Sequence, residues 1–426
     1  TVMPKSQYID PKEMRKAGEI TFSPIPVNQY KKTAKEELKS KHFTKDDLKR
    51  IYRDMVVIRE FETMLQLVKT TGGYNGIEYN NPGPAHLSAG QEAAAVGMAY
   101  MLDINDFIFG SHRSHGEILA KGLRAIELLD DKSLEKIMNE FWDGATVNVA
   151  KKAYKGGSVK ELGIRFLLYG ALAEIFARTT GFNKGLGGSM HTFFTPFGIY
   201  PNNAIVGGSG SIAVGAALYK KVNRKPGIVV ANIGDASMAR GPVWEGMTFA
   251  AMDQFKQLWE GDMKGGLPVI INIMDNQYGM GGQTRGETMG FDFAARIGAG
   301  VNPEQMHAER VDGFNPLAVI DAYRRKKAIL EKEKAGPVLL DVLTYRYSGH
   351  SPSDASSYRT KEEVEAWEAQ DCIVSYGKEL IDAGVATQAD LDAVTKEIKE
   401  IMFDTFKLSI DDELSPRMDL HKEPEL

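Results

Sequence analysis

The chain has 426 residues, 43% of them hydrophobic, which is enough for one large α/β unit or several average ones with a sizeable core. Its 52 basic and 57 acidic residues give a net charge of −5, no Lys/Arg block forms a nucleic-acid footprint, and no apolar run approaches a membrane span. One cysteine, Cys372, leaves no internal disulfide, so the expectation is a globular cytoplasmic protein with neither nucleic acid nor membrane as partner.

Residues 1–43 mix Pro4, Pro11, Pro24 and Pro26 with many lysines, which predicts an extended arm over another surface or a partly ordered tail. Thr44 with Asp47 has the pattern of a helix start, and Leu48, Ile51, Met55, Ile58, Phe61, Leu65 and Val68 keep helical spacing until Gly72-Gly73. In Gly83-Pro84-Ala85-His86-Leu87-Ser88-Ala89-Gly90-Gln91-Glu92 a glycine turn feeds a helix of small residues. Such a helix packs closely on a neighbour, and Glu92 reads equally as part of that packing or as a site residue.

Gly110-Ser111-His112-Arg113-Ser114-His115-Gly116 sets an arginine and two histidines between glycines. These groups are costly to bury without an anion, and a guanidinium grips phosphate oxygens in pairs; the plainer alternative is a solvated loop. Residues around Asp131–Met138 are amphipathic and predict a helix. The glycines of Lys184-Gly185-Leu186-Gly187-Gly188-Ser189-Met190-His191 would let main-chain N–H groups approach a ligand, with His191 either touching substrate or serving structure. Gly208-x-Gly210-x-x-Ala213, with Asp235 ending the next strand, resembles a dinucleotide fingerprint, but only Ala204-Ile205-Val206 precedes it as a strand.

Ile228–Ile233 and Pro268–Met274 are continuous apolar runs separated by a helix-length segment, the pattern of buried parallel strands. In such sheets ligands bind beyond the carboxyl ends, which places Asp235 and Asn276, 41 positions apart, on one side. A carboxylate, an amide oxygen and a nearby carbonyl form half a shell for Mg²⁺, with the remaining positions left to diphosphate and water. Asn315-Pro316 caps a helix to about Lys334, and a third strand, Val338–Tyr345, delivers His350 in a Gly/Ser/Pro-rich loop, a placement that favours function over packing. Thr360 with Glu363 and Thr387 start further helices, and residues 411–426 form a charged tail.

Gly234-Asp235-Ala236 followed by Asp275-Asn276-Gln277-Tyr278-Gly279 resembles the GDG…NN signature of thiamine diphosphate enzymes. More narrowly, with Gly90-Gln91-Glu92-Ala93, His112-Arg113, Lys184–His191, Ile205-Val206-Gly207 and Arg346–Thr360, the chain resembles the alpha subunit of the decarboxylating component of pyruvate, branched-chain and acetoin dehydrogenases. The resemblance runs from about residue 44 to 365. It implies an α/β fold with a parallel sheet flanked by helices, an N-terminal arm (1–43) and C-terminal helices with a tail (366–426). It implies Mg²⁺ on Asp235, Asn276 and the Tyr278 carbonyl. Thiamine diphosphate would be held by Arg113, Val206, Gly207, Gly234, Asp235, Ala236, Asn276, Tyr278, Gly279 and His350, and His350, His112 and His191 would be catalytic. Further implications are a beta subunit, separate or fused, that supplies the acid for the aminopyrimidine, a lipoyl-bearing acyltransferase as acceptor, and Ser351 at a position phosphorylated in animal relatives.

Ala236 and Asp275 depart from the pattern, the gap is lengthened by Lys256–Gly266, and residues 123–170 are an insertion that remodels either the active-site mouth or a subunit contact. Transketolase-like ketol transfer to an aldehyde, an NAD-binding Rossmann oxidoreductase and a non-catalytic assembly subunit are the competing readings.

Overall fold

The computed structural model describes residues 7–425. Six parallel strands form its centre: β1 (Phe107–Phe109), β2 (Ile199–Tyr200), β3 (Val229–Gly234), β4 (Val269–Asp275), β5 (Glu309–Asp312) and β6 (Val338–Leu343), in the order β2-β1-β3-β4-β6-β5. All seven residues of β4 are buried, as expected for a strand covered on both faces. The register pairs Gly234 with Met274, so the chain leaves β3 and β4 side by side at the same edge of the sheet.

The Lys45–Thr71 helix has the expected capping box of Thr44 and Asp47 and stops at Gly72, whose φ of 75° suits glycine. One core joins this helix to the Glu92–Tyr100, His115–Leu128 and Val159–Ile175 helices and to one sheet face; the other face packs on the Gly208–Val222 and Gly241–Ala250 helices. The glycines there serve helix contact: a Cβ on Gly246 would lie 2.9 Å from the carbonyl oxygen of Gly210. This disposes of the dinucleotide fingerprint, since no strand runs directly into the Gly208 helix and Gly210 is taken up by a helix neighbour.

Within residues 123–170 the helices Asp131–Glu140 and Ala145–Ala150 pack on the Val159–Ile175 helix. Its Phe141 meets Phe182 at a ring separation of 5.9 Å, and the Trp142 indole donates to the Phe182 carbonyl at 3.1 Å, so it buttresses the 180s loop from behind. The extra Lys256–Gly266 length lies before β4, at the end of the sheet opposite Asp235, with the Lys221 ammonium on the Gly265 carbonyl at 2.6 Å.

The C-terminal helices Cys372–Asp382 and Gln388–Ile410 share the first core, contributing Tyr376, Leu380, Ile398, Met402 and Phe406. The tail folds back on the chain: the Thr179 amide donates to Pro416 at 2.9 Å and the Met418 amide to Ala177 at 2.8 Å. Residues 1–6 of the expected arm lie outside the described residues; residues 7–22 are largely exposed, and residues 26–28 lie along the chain's own sheet edge. The Arg310 amide donates to Pro26 at 2.9 Å and the Asn28 amide to Arg310 at 3.0 Å, while Ala34, opening a short capped helix, donates to Glu379 at 2.6 Å. Among the described residues no helix is long and apolar enough to cross a membrane.

Candidate active site

Beyond the carboxyl ends of β3 and β4 lies a cavity of about 340 Å³, lined by Asp235, Asn276, His112, Arg113, Val206, Gly279, Arg346 and His350 among others. Two neighbouring parallel strands end here, which is why residues 41 positions apart meet. Asp235 is buried, accepts from the Thr284 hydroxyl, and has its pKa pushed up to about 6 by burial. The Asn276 amide nitrogen donates to Gln91 Oε1 at 3.0 Å, and its oxygen accepts from the Tyr278 amide at 3.2 Å. Gln91 thus fixes which way the Asn276 amide points, a role without local sequence signal.

Asp275, where the family pattern has asparagine, stands outside the cavity lining and accepts from Arg310 at 2.9 Å; the same nitrogen reaches Asp341 at 3.0 Å. Burial and the neighbouring acid push Asp275 up to about 6 and Asp341 up to about 7. The departure therefore comes with its own partner. A larger cleft of about 430 Å³ on that side of the turn holds two ion pairs, Arg285 with Asp292 and Arg310 with Asp275.

Arg113 is buried and lines the cavity, but two of its nitrogens donate to the Leu87 and His350 carbonyls, each at 2.8 Å. It ties the two loops together as well as facing the cavity, and burial with Arg346 nearby lowers its pKa to about 9. Arg346, which sequence reasoning passed over, is fully buried and reaches the Tyr278 carbonyl at 3.3 Å and Gly279 at 2.8 Å, and its Nε has no partner. Asp354 and Arg359 staple the loop that carries His350: Asp354 accepts from the His350 amide at 2.7 Å, and Arg359 donates to the carbonyl of Arg346 at 2.6 Å.

His350 and His112 meet a third histidine, His86, with ring centroids 4.9 to 5.5 Å apart. The Nδ1 atoms of all three are buried without a hydrogen-bond partner. Burial, then the Arg113 charge, pushes their pKa values down to about 3 for His86, 2 for His112 and 4 for His350, so the rings are neutral at pH 7.

Two expectations need correction, and the open reading of Glu92 is decided. His191 is exposed and stands outside the cavity lining, so it does not join the other histidines. The 180s amides do not await a ligand: Asn183, Gly185, Gly187 and Gly188 donate to the Glu174 carboxylate at 2.6 to 3.3 Å, which holds the loop closed. Glu92 is fully buried and taken up by Arg59 at 2.5 Å and the Gly90 amide at 3.0 Å, which is the packing role. Gly207, with a φ of 86°, turns the chain into the helix behind Val206, while Gly234 and Ala236 flank Asp235 in the lining.

Oxygen donors on Asp235, Asn276 and the Tyr278 carbonyl suit Mg²⁺, and two buried guanidinium groups, one with an unpaired Nε, suit an anionic ligand; the residues fit a metal-bound diphosphate. The family model described as "Dehydrogenase E1 component" matches residues 53–162 and 144–416. Among relatives, the pyruvate dehydrogenase E1 component subunit alpha of Rhizobium meliloti is 30% identical over 364 residues, 85% of either chain. That of Rickettsia conorii is 29% identical over 90% of this chain and 94% of its own. The mitochondrial type II subunit of Ascaris suum is 30% identical over 90% of this chain and 80% of its own.

Proposed function

From the premise that this chain belongs to the dehydrogenase E1 component family, we propose that it is the alpha subunit of a thiamine diphosphate- and Mg²⁺-dependent enzyme that cleaves a 2-oxo acid or acetoin and passes the acyl fragment to a lipoyl acceptor. The observation that carries this reading is the meeting of Asp235 and Asn276 at adjacent strand ends, in one cavity with two buried arginines and two histidines. Asp235, Asn276 and the Tyr278 carbonyl hold the ion. Arg113 and Arg346 face the diphosphate, and Val206, Gly207, Gly234, Ala236 and Gly279 shape the walls. When bound, thiamine diphosphate supplies the nucleophilic carbon and the electron sink for cleavage beside a carbonyl.

This chain's residues bind, orient and manage protons. His350, kept neutral with a free Nδ1, is placed to exchange a proton with a ligand in the cavity, and His112 stands beside it. The cavity lining includes exposed apolar side chains: Met280 is 76% exposed and Val206 39%. An apolar rim of this kind around a polar cavity supports a second chain closing the site, a beta subunit that adds the missing acid.

The test is to assay the chain alone and with a beta subunit on a panel of 2-oxo acids, acetoin and ketose phosphates, with lipoyl or aldehyde acceptors. Turnover confined to the pair, with a 2-oxo acid or acetoin and lipoyl transfer, is expected. Robust turnover by the chain alone, or transfer from ketose phosphates to aldehydes, would overturn the reading.

A further inference from the structure

We propose that His86, His112 and His350 form a nitrogen-ligated site for a borderline transition-metal dication of the Zn²⁺ class, distinct in chemistry from the oxygen donors suited to Mg²⁺. Each ring offers a ligand nitrogen, and these nitrogens lie within 4.8 Å of one another. Tetrahedral Zn²⁺ with Zn–N bonds of about 2.0–2.1 Å sets its nitrogens on the order of 3.4 Å apart, so the nitrogens need to close by at most about 1.4 Å. All three Nδ1 atoms are buried and lack a partner, so no protein group competes with a cation for that nitrogen of each ring.

The ligands come from three separate segments: the turn after Gly83, the loop after β1, and the loop after β6. A bound ion would therefore crosslink them. Arg113 and Arg346 oppose any cation here and hold the affinity below that of an uncharged three-histidine site; the carbonyls of Leu87 and His350, already turned onto Arg113, screen part of that charge. With three protein nitrogens, the fourth position is left to water. Resting on the function proposed above, the consequence is that the metal-filled form is silent, because the ion holds the imidazoles that would otherwise face the cofactor.

The experiment titrates Co²⁺ into the full chain, made without a histidine tag, and reads the intense visible d–d absorption of tetrahedral cobalt. The expected result is a band saturating at one equivalent, displaced by Zn²⁺, unmoved by excess Mg²⁺, and weakened at least tenfold in affinity by each of H86Q, H112Q and H350Q. Only the pale octahedral spectrum from the parent chain, or a band that survives all three substitutions, overturns the proposal without any appeal to a variant's folding. D235N keeps the band but loses Mg²⁺-dependent thiamine diphosphate binding. A chain that binds Mg²⁺ and thiamine diphosphate but gives no cobalt band thus fails this inference alone, and the reverse outcome fails the functional reading alone.

Discussion

Asp235 carries the largest single expectation. Replacing it with Asn keeps the shape but removes the charge that a hard cation needs, so D235N should weaken Mg²⁺-dependent thiamine diphosphate binding at least a hundredfold while leaving the circular dichroism spectrum unchanged. Titration calorimetry would check this. The same carboxyl sets a pH dependence. Burial raises its pKa to about 6, so the proton and the metal compete below that pH. Apparent Mg²⁺ affinity should be flat from pH 7 to 8 and fall about tenfold per unit below pH 6. The sign reverses for stability. The metal-free folded state binds this proton more tightly than the unfolded chain, so the carboxyl's contribution declines as pH rises from about 4 to about 6 and stays low above. His350 acts in the same window with the opposite sign: burial lowers its pKa to about 4, below the ordinary imidazole value, so its contribution to stability is present above about pH 6.5 and is lost as pH falls toward 4.

Among the elements, the contact between the Gly208–Val222 and Gly241–Ala250 helices is the most exacting. A side chain at Gly246 would meet the backbone oxygen and carbon of Gly210 at 2.9 and 3.0 Å, atoms that cannot rotate aside. G246V should cost about 1–3 kcal/mol, read from denaturant unfolding, and should loosen the wall that carries Val206. This is also the scale at which the sequence was most and least informative. Strands β3 and β4 were legible because parallel strands buried on both faces become unbroken apolar runs, and Gly234 and Asn276 mark their ends. Helix starts at Thr44, Thr360 and Thr387 were legible because caps are local chemistry. The glycine-rich 180s loop was misread because its partner, Glu174, sits inside a helix and is named by no pattern. His86, Gln91, Thr284 and Arg346 stayed hidden for a related reason: each matters through a contact with a segment far away in the chain, and no periodicity reports such contacts.

For the molecule as a whole, the N-terminal and C-terminal segments are not appendages. The Gln388–Ile410 helix fills the core with Met402 and Phe406, both fully buried, and the tail continues onto residues 177–179. Truncating Phe406 to Ala should cost about 3–5 kcal/mol, measurable as a lower urea midpoint. At the other end, Pro26 and Asn28 grip Arg310 through its backbone on both sides, and the Arg310 side chain neutralises Asp275 and Asp341 just behind Asp235. Residues 26–28 are therefore connected, through Arg310, to the carboxylates that stand behind Asp235. A protease nick in that leading strip, or a bulky fusion crowding it, ought to register first as slackened grip on magnesium, well before the body of the protein melts.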